Sequence, residues 1–594
     1  MQRPTASSSP DSARTNGGVD EGAPAASSQK LRENLATAAV VVITLAVFGV
    51  LFYRETALSY SIGYNLYGAS RILNGEVPYR DFHTLYPPAT VYLNALLFKV
   101  FGTYLYTALL GVCVFKILTA VVIFRCALKT MSLRWALTAV GFSVVWLRPN
   151  GPFKAVPMHY GSLFLALALL LVLKYIDRKK LLYLAGAGIC IGLLTLFKHN
   201  IGAYAFIGVA LALVFRGNPF ALRFEEWTSL WRSIALLTAG VLLPVLPVLA
   251  YLHHKGALKA MARTLLFGPG EFLANRLAAT PSPLLPLLLA LLVCAVGLCL
   301  YWLGLKGAVA TVISGVAMVL LVLFILLAPE GPISEIVFYA PVFILTTGVI
   351  VCRIAASRND VAAKRLYVIL VAAAAAFMES FPRFAREQSI AAMPYIGLLL
   401  LAILYAFKDP IVQRAGTKTA GRIAAYALPV ALFVLGGRFF FQTFFDRALH
   451  LRSNTPLATS RGRGVYFPSF AAREIDSVVE LVQQKVPEGG YIFAQSYAGS
   501  SYLFLADRRN PSGAQFWGGV GVTKAEREQT LASIQEKDVR LVITSDRDME
   551  AERYKPMREY LDANFHSSAR LGDVVILERG PSPPLPPSAG IPLN

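Results

Sequence analysis

Charge is what this chain has least of. Only 15% of its 594 residues are Asp, Glu, Lys or Arg, while 56% are apolar. Soluble domains carry about a quarter of charged residues, so this deficit excludes a string of soluble domains and sets the apolar runs against a bilayer. Acid is scarcer than base: 35 Asp and Glu stand beside 56 Lys and Arg, a net charge of +21. In a soluble protein that excess would point to nucleic acid. Here the cations punctuate apolar runs, as membrane topology demands, and no nucleic-acid partner is expected. Cysteine is sparse too. Cys113, Cys126, Cys190, Cys294, Cys299 and Cys352 lie in or at the ends of apolar segments, without the paired short spacing of a zinc site, and read as small core hydrophobes. The N-terminal thirty residues lack the apolar h-region of a cleaved signal. Residues 1–35 are expected to form a disordered cytoplasmic tail, and the first span to act as an uncleaved insertion signal. No repeat of solenoid period is present.

What the chain has in quantity is apolar stretches near the twenty residues that cross hydrocarbon. They fall at about 36–53, 103–125, 134–147, 159–174, 181–197, 200–215 and 233–252, then 283–302, 307–327, 336–351, 366–381, 390–407 and 423–444. The reading is a polytopic α-helical membrane domain over residues 36–446, with about thirteen helices. The connecting loops alternate in charge. One set carries Arg125, Lys129 and Arg134, then Lys174, Arg178, Lys179 and Lys180, then Arg353, Arg358, Lys364 and Arg365. By the positive-inside rule that side is cytoplasmic. An odd span count places the loop 54–102 and the C-terminal segment outside.

After a linker at 447–468, the texture over 469–579 becomes that of a small external α/β domain. Ile475, Val478, Val479 and Val482 recur at helical spacing, YIFAQS, RLVITS and DVVILER read as strands, and Thr523 with Glu526 forms a capping box. The domain has no Gly-rich phosphate loop and no metal-ligand spacing. Residues 580–594 read as a Pro-rich disordered tail.

About fifty residues separate the first span from the second, long for a connection in a compact bundle and so a candidate functional loop. From Arg71 it reads RILNGEVPYRDFHTLYPPATVYLNALLFKVFG. A turn over Gly75 to Pro78 and a restart at Pro87 and Pro88 bracket Asp81. The apolar, aromatic run that follows suits a helix along the membrane surface, with Tyr86 and Tyr92 at headgroup depth. Gly75, Pro78, Tyr79, Asp81, Phe82, Tyr86, Pro88, Phe101 and Gly102 form a pattern that resembles the first external loop of bacterial GT-C superfamily glycosyltransferases, the group related to protein mannosyltransferases and the aminoarabinose transferase of lipid A. GLLTLFKHNIGAY is similar to that family's Gly-Leu-x-x-x-x-Lys-x-Asn-x-Gly segment. Where the family has Pro-Arg-x-Asp-x-x-His, this chain keeps Pro382 and Arg383 but carries Ala385 and Gln388.

The resemblance implies a GT-C-like fold in a bacterial inner membrane. It implies inverting transfer of a sugar from a polyprenyl-phosphate donor to a glycan, lipid or protein acceptor on the external face, with Asp81 as catalytic base. Such chemistry needs a carboxylate to take the acceptor's proton and cations to stabilise the departing phosphate. Candidate cations are those that break the positive-inside pattern: Arg148 and Lys154 flanking RPNGPFK, Lys198 and His199 after the fifth span, and Arg383 and Arg386 before the twelfth. Each alone is more often a headgroup anchor. Tyr79 and His83 are further substrate-binding candidates. Glu76 reads first as a solvated loop charge, and otherwise as a second acid that orients the acceptor or, with Asp81, holds a divalent cation; too few ligands pair by spacing to specify a metal. Lys255, Lys259 and Arg263 recur every four residues, on one face of an amphipathic segment near lipid phosphates. Lys116 and Glu379, inside spans, are expected to face the bundle interior and find partners. The alternative from another class is a transporter or flippase of a lipid-linked or small polar solute, which would show internal repeats and midplane acids. A receptor merely anchored by the bundle is a third reading.

Overall fold

The structure, a computed structural model, describes residues 22–52, 58, 60–147, 155–214, 224–266, 340–349, 352, 360–380, 386–414, 429–442, 454–495, 498–514, 524–545 and 554–580, apart from 343 and 439. Both extreme termini, the stretches expected to span at 283–302 and 307–327, and Arg148, Lys154, Arg383 and Thr523 lie outside the described residues. Among the described residues, four helices are long and apolar enough to cross a membrane, within Ser27–Gly49, Leu105–Leu128, Pro157–Arg178 and Thr228–His254; Leu133–Leu147, Leu181–Phe197, His199–Leu213 and Ile390–Ala406 are shorter apolar helices.

In chain order the first nine helices are α1 (Gly22–Phe52), α2 (Tyr60–Leu73), α3 (Ala89–Phe101), α4 (Leu105–Leu128), α5 (Leu133–Leu147), α6 (Pro157–Arg178), α7 (Leu181–Phe197), α8 (His199–Val214) and α9 (Phe224–His254), followed by α10 (Asp360–Phe377) and α11 (Arg386–Arg414). α1 begins inside the segment expected to be a tail. Its first turns are rich in helix formers such as Ala, Gln, Lys, Leu, Arg and Glu, and extending an existing helix needs no new nucleus. Lys116 is buried in α4 and donates to the Leu147 carbonyl at 2.6 Å, a cation set at the C-terminal end of α5, where the helix dipole is negative.

The ends of the bundle are marked by charge. Asp177 of α6 accepts from Lys129 at 3.0 Å and Arg365 at 2.6 Å, tying together three segments that the charge pattern assigns to one side. Arg125 reaches Thr37 of α1 at the same end of α4. At the other end of that 24-residue helix the chain leads back to α3 and α2.

The C-terminal region begins earlier than its hydrophobic pattern indicates. The expected linker forms an antiparallel hairpin, β1 (Asn454–Pro456) with β2 (Tyr466–Pro468). It leads into α12 (Ser469–Lys485), whose Ile475, Val478, Val479 and Val482 are buried as the spacing requires. β3 (Phe493–Gln495), β4 (Leu541–Thr544), β5 (Phe565–Leu571) and β6 (Val574–Arg579) make one sheet in the order β3-β4-β6-β5; only β3 and β4 are parallel. α13 (Gly499–Ala506), α14 (Lys524–Glu536) and α15 (Lys555–Asn564) complete the domain.

This domain is not a separate body beside the bundle. α2 lies against α13, and the ring of Phe98 stacks on Phe504 with centroids 5.6 Å apart. Ile62, Leu66, Ala69, Leu503 and Phe504 belong to one core. The approach of α2 to α13 is close enough to require glycine: a Cβ at Gly63 would stand 2.2 Å from the Ser501 backbone nitrogen. Gly63→Ala is therefore expected to push the two helices apart and cost about 1–3 kcal/mol. Thermal unfolding in detergent checks this, and a wild-type melting temperature would contradict the packing described.

Candidate functional site at the junction of α2, α3 and the C-terminal domain

α2 stops at Gly75, whose φ of +86° suits glycine. Gly75 N–H donates to the Ile72 carbonyl at 2.9 Å and Glu76 N–H to the Arg71 carbonyl at 3.0 Å, a Schellman cap. The chain then turns tightly: Asp81 N–H meets the Val77 carbonyl at 2.9 Å, and Tyr79 N–H the Phe82 carbonyl at 2.8 Å. Tyr79 takes φ +68°, costly for a bulky side chain and found where surrounding structure over-determines it. The surroundings do so. The Tyr79 hydroxyl donates to the Tyr86 carbonyl at 2.6 Å, and Val77 and Tyr79 share a core with Leu252, Ala257 and Met261. Burial raises the Tyr79 hydroxyl well above its usual range. Tyr79, a candidate substrate contact from the sequence, is thus placed inside the turn's own core.

The turn presents Asp81. Its Oδ2 accepts from Val77 N–H at 2.7 Å and from Arg80 Nη2 at 2.7 Å, and its Oδ1 from Arg80 Nε at 2.9 Å. The side chains of Asp81 and Arg80 are 30% and 45% exposed. The Arg80 hydrogen bonds hold the Asp81 carboxyl below its ordinary range, helped by the Val77 N–H and by the charges of Arg80 and Arg71, against a smaller opposing effect of burial. Asp81 is an anion at neutral pH.

Arg71, nearly buried, fastens this frame. Its Nε donates to Glu76 Oε2 at 2.6 Å, Nη2 to the Asp81 carbonyl at 2.9 Å and Nη1 to the Ser512 carbonyl at 3.1 Å, while its guanidinium lies 4.9 Å from the centroid of Phe82. Alongside, His83 N–H donates to the Gly513 carbonyl at 2.9 Å, and Asn510 N–H to the Tyr67 hydroxyl at 2.6 Å. Burial, the largest influence, pushes the Tyr67 hydroxyl up to about 12, so it keeps its proton while accepting. The His83 carbonyl also accepts from the Tyr64 hydroxyl at 2.8 Å. Glu76 pairs with Arg71 and Asp81 with Arg80. Among the described residues no group of three or more His, Cys, Asp or Glu side chains converges as metal ligands.

Lys198 connects the loop to the bundle. It sits between α7 and α8 with Nζ 3.4 Å from Glu379 Oε1 and 4.3 Å from the centroid of the Tyr86 ring, five residues along the loop from Asp81. Glu379 is buried, and its Oε2 has no hydrogen-bond partner among the described residues. The interior acid and the motif lysine, each singled out alone in the sequence, are partners. Lys198→Met strands a buried carboxylate and is expected to cost about 3–5 kcal/mol. Lys198→Met/Glu379→Gln is expected to recover most of that, as thermal unfolding of the single and double variants would show. His199 opens α8, with its Nδ1 buried and without a hydrogen-bond partner among the described residues. Arg386 is the first residue of α11.

Lys255, Lys259 and Arg263 do not share one helix. α9 ends with a second Schellman cap: Gly256, at φ +72°, donates to the His253 carbonyl, and Ala257 to the Leu252 carbonyl. Lys255 occupies the turn, and a separate short helix over 258–266 carries Lys259 and Arg263 exposed and Met261 buried. The glycine breaks the periodicity that the lysine spacing suggests.

The sequence offers Arg80 or Arg71 as the partner of Asp81 in a solvated loop pair, and the structure places Arg80 there. Sequence reasoning missed Arg71 as a fastener to the C-terminal domain, which had no local signal because Ser512 lies 441 positions away.

The packed apolar helices, the helix-bearing first loop and the C-terminal α/β domain resting on it make up a GT-C-like fold. A solved structure similar to it is that of ArnT from Cupriavidus metallidurans. Its crystal structure bound to undecaprenyl phosphate matches at a TM-score of 0.50 and 13% identity, covering 92% of this chain and 99% of that one. ArnT in the apo state gives 0.49 at 13% identity, covering 92% and 100%. The Archaeoglobus fulgidus oligosaccharyltransferase in complex with zinc and sulfate gives 0.42 at 15% identity, covering 89% and 72%. No protein-family model and no curated protein matches the chain.

Proposed function

We propose that the protein is an inverting glycosyltransferase that moves a sugar from a polyprenyl-phosphate donor to an acceptor on the external face of a bacterial inner membrane. The observation that carries this reading is an ionised Asp81 held on an over-determined turn beside an exposed guanidinium, in a loop that also reaches the ammonium of Lys198. The Asp81 carboxylate takes the proton of an acceptor hydroxyl as the acceptor oxygen bonds to the anomeric carbon. The bond from that carbon to the phosphate oxygen breaks, and the electron pair leaves with the polyprenyl phosphate. Arg80 moves its fork from Asp81 to that phosphate, a geometry guanidinium suits, and the same movement frees Asp81 to act as base. Undecaprenyl phosphate bound to the similarly folded ArnT supports the donor class. The external placement is supported by Lys129 and Arg365, from loops rich in positive charge, meeting at Asp177, while Asp81 belongs to the opposite end of α4.

The test is donor turnover in proteoliposomes supplied with a panel of polyprenyl-phosphate pentoses and hexoses and a cell-envelope acceptor fraction. At least one donor is expected to release polyprenyl phosphate in an acceptor-dependent way. No release from any of them by folded protein would overturn the reading.

A further inference from the structure

The segment from Tyr251 to Leu266 holds three cations, two histidines and no acid. It begins where the long apolar helix within Thr228–His254 ends, which sets it at a membrane–water boundary. Its apolar side is spoken for: Leu252, Ala257 and Met261 are buried in the cluster that contains Val77 and Tyr79 of the Asp81 turn. Its polar side is open. Lys259 and Arg263 are exposed one turn apart, and the Lys255 ammonium lies 6.0 Å from the centroid of Tyr251. Tyr251 meets Tyr92 edge-on, with hydroxyls 3.4 Å apart, a pair of amphipathic rings of the kind that settles at headgroup depth.

We infer that this surface docks the headgroups of anionic phospholipids in the adjoining leaflet and, through Ala257 and Met261, braces the turn that carries Asp81. With no acid in the segment, the counter-charge comes from outside it, and a leaflet of anionic lipid supplies one. The arrangement suits a row of headgroups better than a single phosphate. Lys259 and Arg263 stand about 6 Å apart along the helix axis, on an exposed face rather than around a shared hollow. An amphipathic helix lying in the interface, apolar side on protein and basic side to lipid, binds by this combination of burial and charge. The inference does not depend on the transferase reading, since it concerns lipid retention and loop order.

The experiment compares the full chain and Lys255→Gln/Lys259→Gln/Arg263→Gln in phosphatidylcholine nanodiscs with and without phosphatidylglycerol, together with each single variant and an exposed control, Lys524→Gln. Native mass spectrometry reads lipid retention, and amide exchange reads residues 77–83. The wild type and control are expected to retain phosphatidylglycerol several-fold over phosphatidylcholine, and to slow exchange at 77–83 several-fold when it is present. The triple variant is expected to lose both effects, and each single variant part of them. Equal retention by wild type and triple variant, or exchange at 77–83 indifferent to phosphatidylglycerol in the wild type, would overturn the inference. So would a third arm in which only added polyprenyl phosphate is held through these cations, since the surface would then belong to a single lipid-linked phosphate.

Discussion

Asp81→Asn is expected to slow sugar transfer by about 10²–10⁴-fold, the range for loss of a positioned general base, while the protein folds and inserts as before. The amide retains an oxygen for the Val77 N–H, and the pair it gives up with Arg80 is partly exposed, so little stability goes with it. The pH dependence carries a sign that can be checked. In the free protein the Arg80 hydrogen bonds lower the Asp81 carboxyl from its ordinary 3.8, so its contribution to stability is complete above the unfolded value and is lost as pH falls through the lowered folded one. The acid limb of kcat/KM due to Asp81 thus lies below the ordinary carboxylate range. Arg80→Gln removes the largest cause and moves that limb up. If Arg80 transfers its fork to the bound donor, the limb seen in kcat lies above that seen in kcat/KM, because the latter reports the free enzyme. Coincident limbs in the wild type would contradict the exchange.

Arg71→Gln carries the second large effect. It leaves Glu76 without its cation and the Asp81 and Ser512 carbonyls without a donor. The expected loss is about 2–4 kcal/mol, toward the lower side of values for breaking buried pairs because Glu76 retains access to water. Transfer is expected to fall at least about tenfold with Asp81 intact, since small misplacements of a catalytic group are expensive. Amide exchange should rise together at residues 77–83 and 510–514, which face each other across the clasp. Lysine at this position is expected to rescue only in part, because a point donor replaces a fork that serves three acceptors. Faster exchange on one side alone would show that Arg71 does not couple the loop to the domain.

Several apolar helices among the described residues were legible from their runs: α7 occupies the stretch its apolar run marks, and α6 and α8 lie within a few residues of theirs. The C-terminal strands β3, β4 and β6 were legible from their apolar runs. α2 was passed over inside a loop, although Ile62, Leu66 and Ala69 carry the helical period and are all buried. Its mixture of Tyr, Asn, Ser and Gly disguised a helix whose core is supplied by a domain more than four hundred residues away. Asp81 stood out through its motif. Its surroundings were legible only in part: Lys198 was marked as a cation and Glu379 as an interior acid but not as each other's partner, and Arg71 acts through the distant Ser512 carbonyl.

The measurement closest to the central claim is the anomeric configuration of the product, read by NMR from the proton on the transferred carbon when reconstituted protein turns over its donor. Direct displacement of the lipid phosphate by a deprotonated acceptor gives the configuration opposite to the donor's. A retained configuration would mean a covalent glycosyl–enzyme step, and Asp81 would not be acting as the base described.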